Sequence, residues 1–220
     1  ERVVGFCSLY QSNELTYITS FYIKPEEIIH AQEIMKKVIT TYNVTKAYVT
    51  TCDELFLSVC LDYHEKIELQ AYFFDGTMEH PVRQAEFDMP CMRKVSVEEM
   101  PGIRAITGDF YDSFSDTMIQ NNECELYRIV SDDVTLGVGV MVPNKLATGY
   151  VACGEIVLEE HRRKGVARSL QLNMSKICRD RGLIPIGGCW YYNEYSKKTF
   201  DSCGRYSKTR LLNVTFRNNI

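Results

Sequence analysis

Residues 154–182 read GEIVLEEHRRKGVARSLQLNMSKICRDRG. The apolar run Ile156-Val157-Leu158 is strand-like and leads into three successive cations, Arg162, Arg163 and Lys164, followed by Gly165. Beyond it, Val166, Leu170, Met174, Ile177 and Cys178 recur in steps of three and four, which places them on one helical face. Arg179 and Arg181 suit the negative end of that helix, and Gly182 suits a left-handed residue that closes it. A strand therefore feeds a cationic, glycine-containing turn that opens a helix. Amide groups at a helix start lack partners, and the dipole there favours an anion. Cations at that end are unfavourable unless an anion joins them, so the turn is a candidate phosphate cradle.

The totals narrow the choice of anion. At 220 residues the chain can hold one or two domains with a sizeable core. A formal net charge of −4 and the lack of a basic tail argue against a general nucleic-acid binder. No apolar run reaches membrane-spanning length. The nine cysteines include no C-x-x-C pair, and several fall inside apolar periodic runs. That pattern points to reduced, mostly buried thiols, with no metal expected and a cytoplasmic setting. The sequons at Asn43, Asn173 and Asn213 are then chance matches. The sequence begins at Glu1 without a methionine, which leaves room for a cut or processed start.

Working outward, residues 2–10 and 15–23 are rich in β-branched and aromatic residues, and the polar link Gln11-Ser12-Asn13-Glu14 predicts a hairpin. Lys24-Pro25-Glu26-Glu27 opens a helix, with Ile28, Ala31, Met35, Val38, Ile39 and Tyr42 at helical spacing. Strands are predicted at 46–51 and 66–74, with a short helix capped by Asp53 between them. Residues 75–90, polar and carrying Pro81 and Pro90, read as a boundary. A second unit follows, with a short strand at 91–95 and a capping box at Ser96–Glu99 before a helix weakened by Pro101 and Gly102. A further short helix lies within 112–121, and strands are predicted at 124–130, 134–142 and 150–158. After Gly182 come a buried strand at 183–190, a short helix from Asn193 to about Cys203, and a last strand at 210–216.

The order hairpin, strand, helix, strand, short helix, strand is read at residues 2–74 and again at 134–216. Ile23-Lys24-Pro25-Glu26 stands where Val157-Leu158-Glu159-Glu160 stands in the second copy, and Cys52 corresponds to Cys189. The first copy has neither glycine nor arginine after Pro25, so it repeats the frame without the phosphate turn.

Arg162-Arg163-Lys164-Gly165-Val166-Ala167 resembles the acyl-CoA-binding motif R/Q-x-x-G-x-G/A of the GNAT superfamily of N-acetyltransferases. Its place between a strand and a helix strengthens the likeness. So does Asn193-Glu194-Tyr195-Ser196, which is similar to the family's later motif. The resemblance covers residues 88–220 as one GNAT domain, with residues 1–80 as a degenerate half-unit. It implies an α/β (α+β) fold, a mixed, mostly antiparallel splayed sheet flanked by helices. Acetyl-CoA would lie in the splay beside strand 150–158. The backbone of Val157 and its neighbour Leu158 would pair with the pantetheine arm. Amides of the stretch Arg163 to Arg168, with Gly165, Val166 and Ala167 among them, would hold the pyrophosphate. Side chains of Arg162, Arg163, Lys164 or Arg168 would add charge. Asn193 and Ser196 would face the cofactor, although Asn193 also reads as an ordinary helix cap.

Such a reaction needs a free amine, and a lysine-like amine has a pKa of ~10.4, so a base or water chain must remove a proton. Glu155 is the leading base, since it shares a strand face with Val157; a carboxylate facing solvent is the bland reading. Val157 or Leu158 would offer an N–H to the oxyanion. Where the family often carries a tyrosine acid this chain has Phe200, and Gly204 is followed by Arg205 rather than phenylalanine. Tyr192 and Tyr195 are the substitutes, with bulk water a third route. The partners expected are acetyl-CoA and an amine of a small molecule or peptide, without nucleic acid or membrane. The alternative is a catalytically silent acyl-CoA-binding or regulatory protein. A tandem transferase using an aminoacyl-tRNA donor is disfavoured by the acidic charge. The acceptor pocket falls to residues 97–121 and to the loop after Tyr191, with one or two of Trp190, Tyr191 and Tyr192 in its wall. The N-terminal half would cover that pocket, extend the sheet or form a homodimer contact.

Overall fold

A computed structural model of the chain describes residues 2–12 and 15–217. Its strands and helices, in chain order, are β1 (Gly5–Gln11), β2 (Thr16–Ile23), α1 (Ala31–Thr41), β3 (Lys46–Thr50), α2 (Glu54–Tyr63), β4 (His64–Phe74), β5 (Gly76–Thr77), β6 (Met92–Lys94), α3 (Met100–Thr107), α4 (Asp116–Gln120), β7 (Glu125–Ser131), β8 (Val134–Pro143), β9 (Tyr150–Val157), α5 (Val166–Asp180), β10 (Ile184–Trp190), α6 (Glu194–Ser202), β11 (Arg205–Tyr206) and β12 (Thr209–Phe216). The chain forms two compact units. One takes in the described residues up to Phe73 with Trp190–Tyr192 and the chain from Thr209 onward; the other is Phe74–Cys189 with Asn193–Lys208.

In the first unit the strands lie in the order β1-β2-β3-β12-β4. β1 and β2 form the expected antiparallel hairpin, irregular at Ser8/Leu9; Asn13 and Glu14 of its link lie outside the described residues. The helix expected from Pro25 begins instead as a 3-10 segment, Pro25–His30, with no buried residue, and becomes α-helical at Ala31. Glu26 and Glu27 of that segment pair with Arg2. From there Ala31, Met35 and Ile39, four apart, face Ile18, Phe21, Phe56 and Val214 in one core. Asp53 caps α2 by accepting a hydrogen bond from the Phe56 amide at 3.1 Å. β12, read from sequence as the end of the second copy, pairs antiparallel with both β3 and β4.

The second unit carries the order β10-β9-β8-β7-β6. β7 and β8 join through Asp132 and Asp133, both at positive φ (50° and 61°), the conformation a two-residue hairpin turn requires. β8 is buried on both faces. Val166, Leu170, Met174 and Cys178 of α5 cover one face, and Met100, Ile103, Tyr111 and Ile119 cover the other. Each such large apolar side chain contributes ~1.5–3 kcal/mol by leaving water. Gly139 lets the Met174 side chain pack closely on β8, since a Cβ there would meet the Met174 sulfur. The capping box at Ser96 and Glu99 forms as read, and Pro101 sits in the first turn of α3, where it costs no hydrogen bond.

Two expectations change in this unit. Residues 184–190 form a strand, but only Pro185 is buried, and Ile184 and Trp190 are exposed. β10 pairs with β9 through three residues alone, Ile184–Ile186 opposite Tyr150–Ala152, so the rest of the strand has no β9 ladder to lie against. The segment 75–90 is not a free boundary. β5 pairs with β11, the Met78 amide donates to the Gly204 carbonyl, and the Arg83 amide donates to the Ser202 carbonyl.

The repeat is visible in the backbone. Each copy has an antiparallel pair followed by a parallel pair, and each parallel pair ends early: Tyr17/Lys46 and Ile18/Ala47 in the first, 150–152 with 184–186 in the second. Lys24 and Leu158 each precede a 3-10 segment with nearly the same dihedrals, −58°/141° and −59°/144°.

Candidate functional site

Where β9 and β10 part, the chain opens a groove of ≈ 1220 Å³. Glu155 and Val157 line it from β9, the turn and helix start line it from Arg162 to Arg168, and Asn193, Tyr195 and Ser196 line it from the start of α6. The turn reaches this shape through two left-handed residues, Arg163 at φ 62° and Gly165 at φ 79°. A non-glycine residue there costs on the order of 1 kcal/mol, so Arg163 holds its place under strain. Gly165 caps α5 with no side chain, and the first turn of α5 holds no acid. Among the described residues no carboxylate pairs with Arg162, Arg163 or Lys164. Arg162 directs its Nε to the Val157 carbonyl at 3.5 Å, a long contact.

Backbone polarity along β9 separates two residues that sequence left equal. The Leu158 N–H donates to the Leu136 carbonyl at 3.1 Å. It is therefore not free for an oxyanion or a pantetheine arm, which corrects the expectation placed on Leu158. Antiparallel pairs alternate in hydrogen bonding, so with Leu158 bonded toward β8, the Val157 N–H points the other way, into the splay.

Glu155 lies half-buried on the β9 face that α5 covers, between Cys153 and Val157. Gln171, fully buried on α5, donates from Nε2 to Glu155 and also to the Cys153 carbonyl at 3.1 Å. Removal from water raises the Glu155 pKa to about 7, while the Gln171 hydrogen bond and the Arg205 charge pull it down. Cys153 beside it is an inert thiol, pushed up by its hydrogen bond with Cys178 and by burial. All nine cysteines are free, and five are buried.

Arg205 was met in the sequence only as a departure from a pattern. It is 3% exposed, and its Nη2 donates to the carbonyls of Phe74 and Pro185, each at 2.7 Å. Pro185 stands one residue before the last paired residue of β10. Arg205 and Gln171 thus satisfy carbonyls on the two strands at the point where their ladder ends. Nε and Nη1 of Arg205 and Oε1 of Gln171 are buried without a protein partner. Phe200, in the place of the absent tyrosine, is 1% exposed, stacks on Phe74 at 4.3 Å and lies against Gly187, where a Cβ would meet its ring.

The remaining candidates divide. Asn193 acts as the helix cap, its Oδ1 accepting from the Ser196 amide at 3.0 Å. Tyr195, 80% exposed, lines the groove. Tyr192 does not line it: it groups with the first unit, its ring edge-on to those of Trp190 and Tyr191. Three contributors escaped sequence reading. Gln171 occupies a polar position of α5 that resembles a solvent-facing one, Tyr111 lies under β8 with its hydroxyl on the Val138 carbonyl at 2.6 Å, and Glu86 comes from the supposed boundary. The one available signal for Glu86 was the lack of an acid near the start of α5.

A sheet whose parallel pair parts beside a glycine-bearing turn at a helix start is the arrangement of the GNAT acetyltransferase fold. Residues 1–77 match the family model described as an acetyltransferase (GNAT) domain. That match falls on the copy without the phosphate turn. Among solved structures, the chain is similar to an acetyltransferase of the GNAT family from Colwellia psychrerythraea, with a TM-score of 0.84 at 20% identity over 98% of this chain and 82% of that one. It is also similar to a GCN5-related N-acetyltransferase from Kribbella flavida (TM-score 0.61, 14% identity, 99% and 89% covered). A tandem GNAT protein from the clavulanic acid biosynthesis pathway gives a TM-score of 0.57 at 14% identity, with 97% and 79% covered. At these identities the likeness is one of fold. No curated protein matches the chain. Among the described residues, no helix is long and apolar enough to cross a membrane.

Proposed function

We propose that the chain is an N-acetyltransferase that takes its acetyl group from acetyl-CoA and delivers it to an amine of a small molecule or peptide. The observation that carries this is the groove itself, which runs from Glu155 at the parting of β9 and β10 to the turn Arg162–Arg168. The groove lies within the second unit, Phe74–Cys189 with Asn193–Lys208, which serves as the transfer domain in place of residues 88–220; residues 1–80, read as a degenerate companion, complete their sheet with β12. Bound acetyl-CoA supplies the thioester. The Val157 N–H, aimed into the splay, stabilises the oxyanion that forms on attack. Amides after Gly165 and the side chains of Arg162, Arg163 and Lys164 hold the pyrophosphate. Glu155 removes the proton of the attacking amine. Burial gives it a pKa of about 7, close to the working pH a general base needs. Tyr195 or water protonates the departing thiolate.

Calorimetry with acetyl-CoA should show binding, and a thiol-release assay over an amine panel should show turnover. Absence of binding would end the proposal. Binding without turnover on any amine would favour the silent acyl-CoA-binding alternative, which the burial of Phe200 in place of an acid supports.

Glu155→Gln tests the base. The wild-type rate should rise through about pH 7 as Glu155 ionises. The variant should be slower at neutral pH by roughly 10²–10⁴. Its deficit should narrow at high pH, where the amine loses its proton unaided; a parallel profile would remove Glu155 from the role. Stability gives an independent reading with the opposite sign. A carboxylate whose pKa is raised on folding adds no penalty below its unfolded value and its full penalty above the folded one. The variant should therefore match the wild type in acid and exceed it at pH 8, by at most about 3 kcal/mol.

A further inference from the structure

The start of α5 receives an anion from a distant part of the chain. Glu86 sits over Gly165, where a Cβ would run into its carboxylate. Its Oε1 accepts from Arg168 Nη2, across 82 positions of sequence. A helix whose own first turn has no acid and whose cap has no side chain gains from a carboxylate in this place. The place is also the mouth of the groove, at the residues assigned above to the pyrophosphate.

Resting on the acetyl-CoA reading, we propose that Glu86 sets the affinity for the donor: its carboxylate and the donor pyrophosphate compete for the ground above Gly165 and for Arg168. The backbone around Glu86 is fastened independently of its side chain. The amides of Glu86 and Phe87 both donate to Ser169 Oγ at 3.0 Å, and Asn173 donates to the Phe87 carbonyl at 3.0 Å. Arg168 Nε stays on the Gln84 carbonyl at 2.9 Å. The Glu86 side chain, 44% exposed, can therefore rotate outward while the strap beneath it stays in place. Arg168 Nη2 is then free to turn from carboxylate to phosphate. In this arrangement the donor must displace an internal anion, so the protein binds CoA more weakly than its cationic turn alone would allow.

The test is calorimetry on the full chain with two probes, inorganic pyrophosphate and CoA. Glu86→Gln, which keeps the shape and removes the charge, should tighten both by roughly two- to fivefold, the size of one exposed charge–charge interaction. Glu86→Ala should do the same. Adding Arg168→Gln to Glu86→Gln should cancel most of the gain. Wild-type affinity in both Glu86 variants would overturn the competition and leave the donor reading standing. Weaker binding in both would overturn it in favour of Glu86 as a fixed prop of the turn. Failure of CoA to bind any of the folded proteins would overturn this inference and the donor reading together.

Discussion

Replacing Gly165 with glutamate should abolish donor binding, with CoA affinity falling by at least ~100-fold, or about 2.7 kcal/mol. Three effects act in the same direction. The backbone at Gly165 is left-handed, at φ 79°, which costs a residue with a Cβ ~1–2 kcal/mol. That Cβ would also meet the Glu86 carboxylate and force that side chain to turn away from Arg168. The new carboxylate would also put a second negative charge at the proposed pyrophosphate position. Gly165→Ala separates these effects, since it carries the strain and the collision without the charge. Alanine should weaken CoA binding much less than glutamate. Circular dichroism should show both variants folded, with a lowered melting temperature. CoA binding by Gly165→Glu within threefold of wild type would mean that the phosphate does not lie on this turn.

Arg205→Ala should be strongly destabilising, on the order of 3–5 kcal/mol by denaturant unfolding. It would remove the buried donor that the Phe74 and Pro185 carbonyls share, at about 1–3 kcal/mol. It would also open a cavity beneath Phe200, whose ring lies 5.6 Å from the guanidinium carbon. A smaller term opposes the loss: Nε and Nη1 are buried without protein partners, and alanine removes that burden. Arg205→Met should therefore cost less than alanine, because it fills the volume and sheds the unmatched donors. A cost below about 1 kcal/mol for alanine would show that the parted strands need no wedge.

What could be read in the sequence was local. The cap at Asp53, the box at Ser96 and Glu99, the left-handed Gly182 and the cationic turn are each set by residues within a few positions, and each took the expected form. The repeat could be read because a strand order recurs along the chain. The failures concern long-range pairing. Polar residues and prolines at 75–90 look like a linker because the partners that fasten them, Gly204, Ser202 and Ser169, lie far along the chain. Likewise, nothing in residues 210–216 says that they complete a sheet with β3 and β4. The turn at 162–168 could be picked out by its run of cations before Gly165, but Gln171, Arg205 and Glu86 are ordinary polar residues until folding brings them to Glu155, the strand carbonyls and Gly165. Leu158 and Val157 could not be told apart until β8 showed which amide was already bonded.

The seat of β12 has a consequence for synthesis. It lies between β3 and β4 and pairs with both. While a ribosome is still adding the second unit, the first must wait with two unsatisfied strand edges facing one another across a missing neighbour. The family-matching residues 1–77 therefore cannot finish their own sheet as they emerge. They become native only when the chain returns more than a hundred residues later, as the Arg210 amide bonds Thr51 across 159 positions. Such late closure slows folding and exposes open edges to other nascent chains. The vulnerable state of this protein is the half-made one, and its last strand is the lock that ends it.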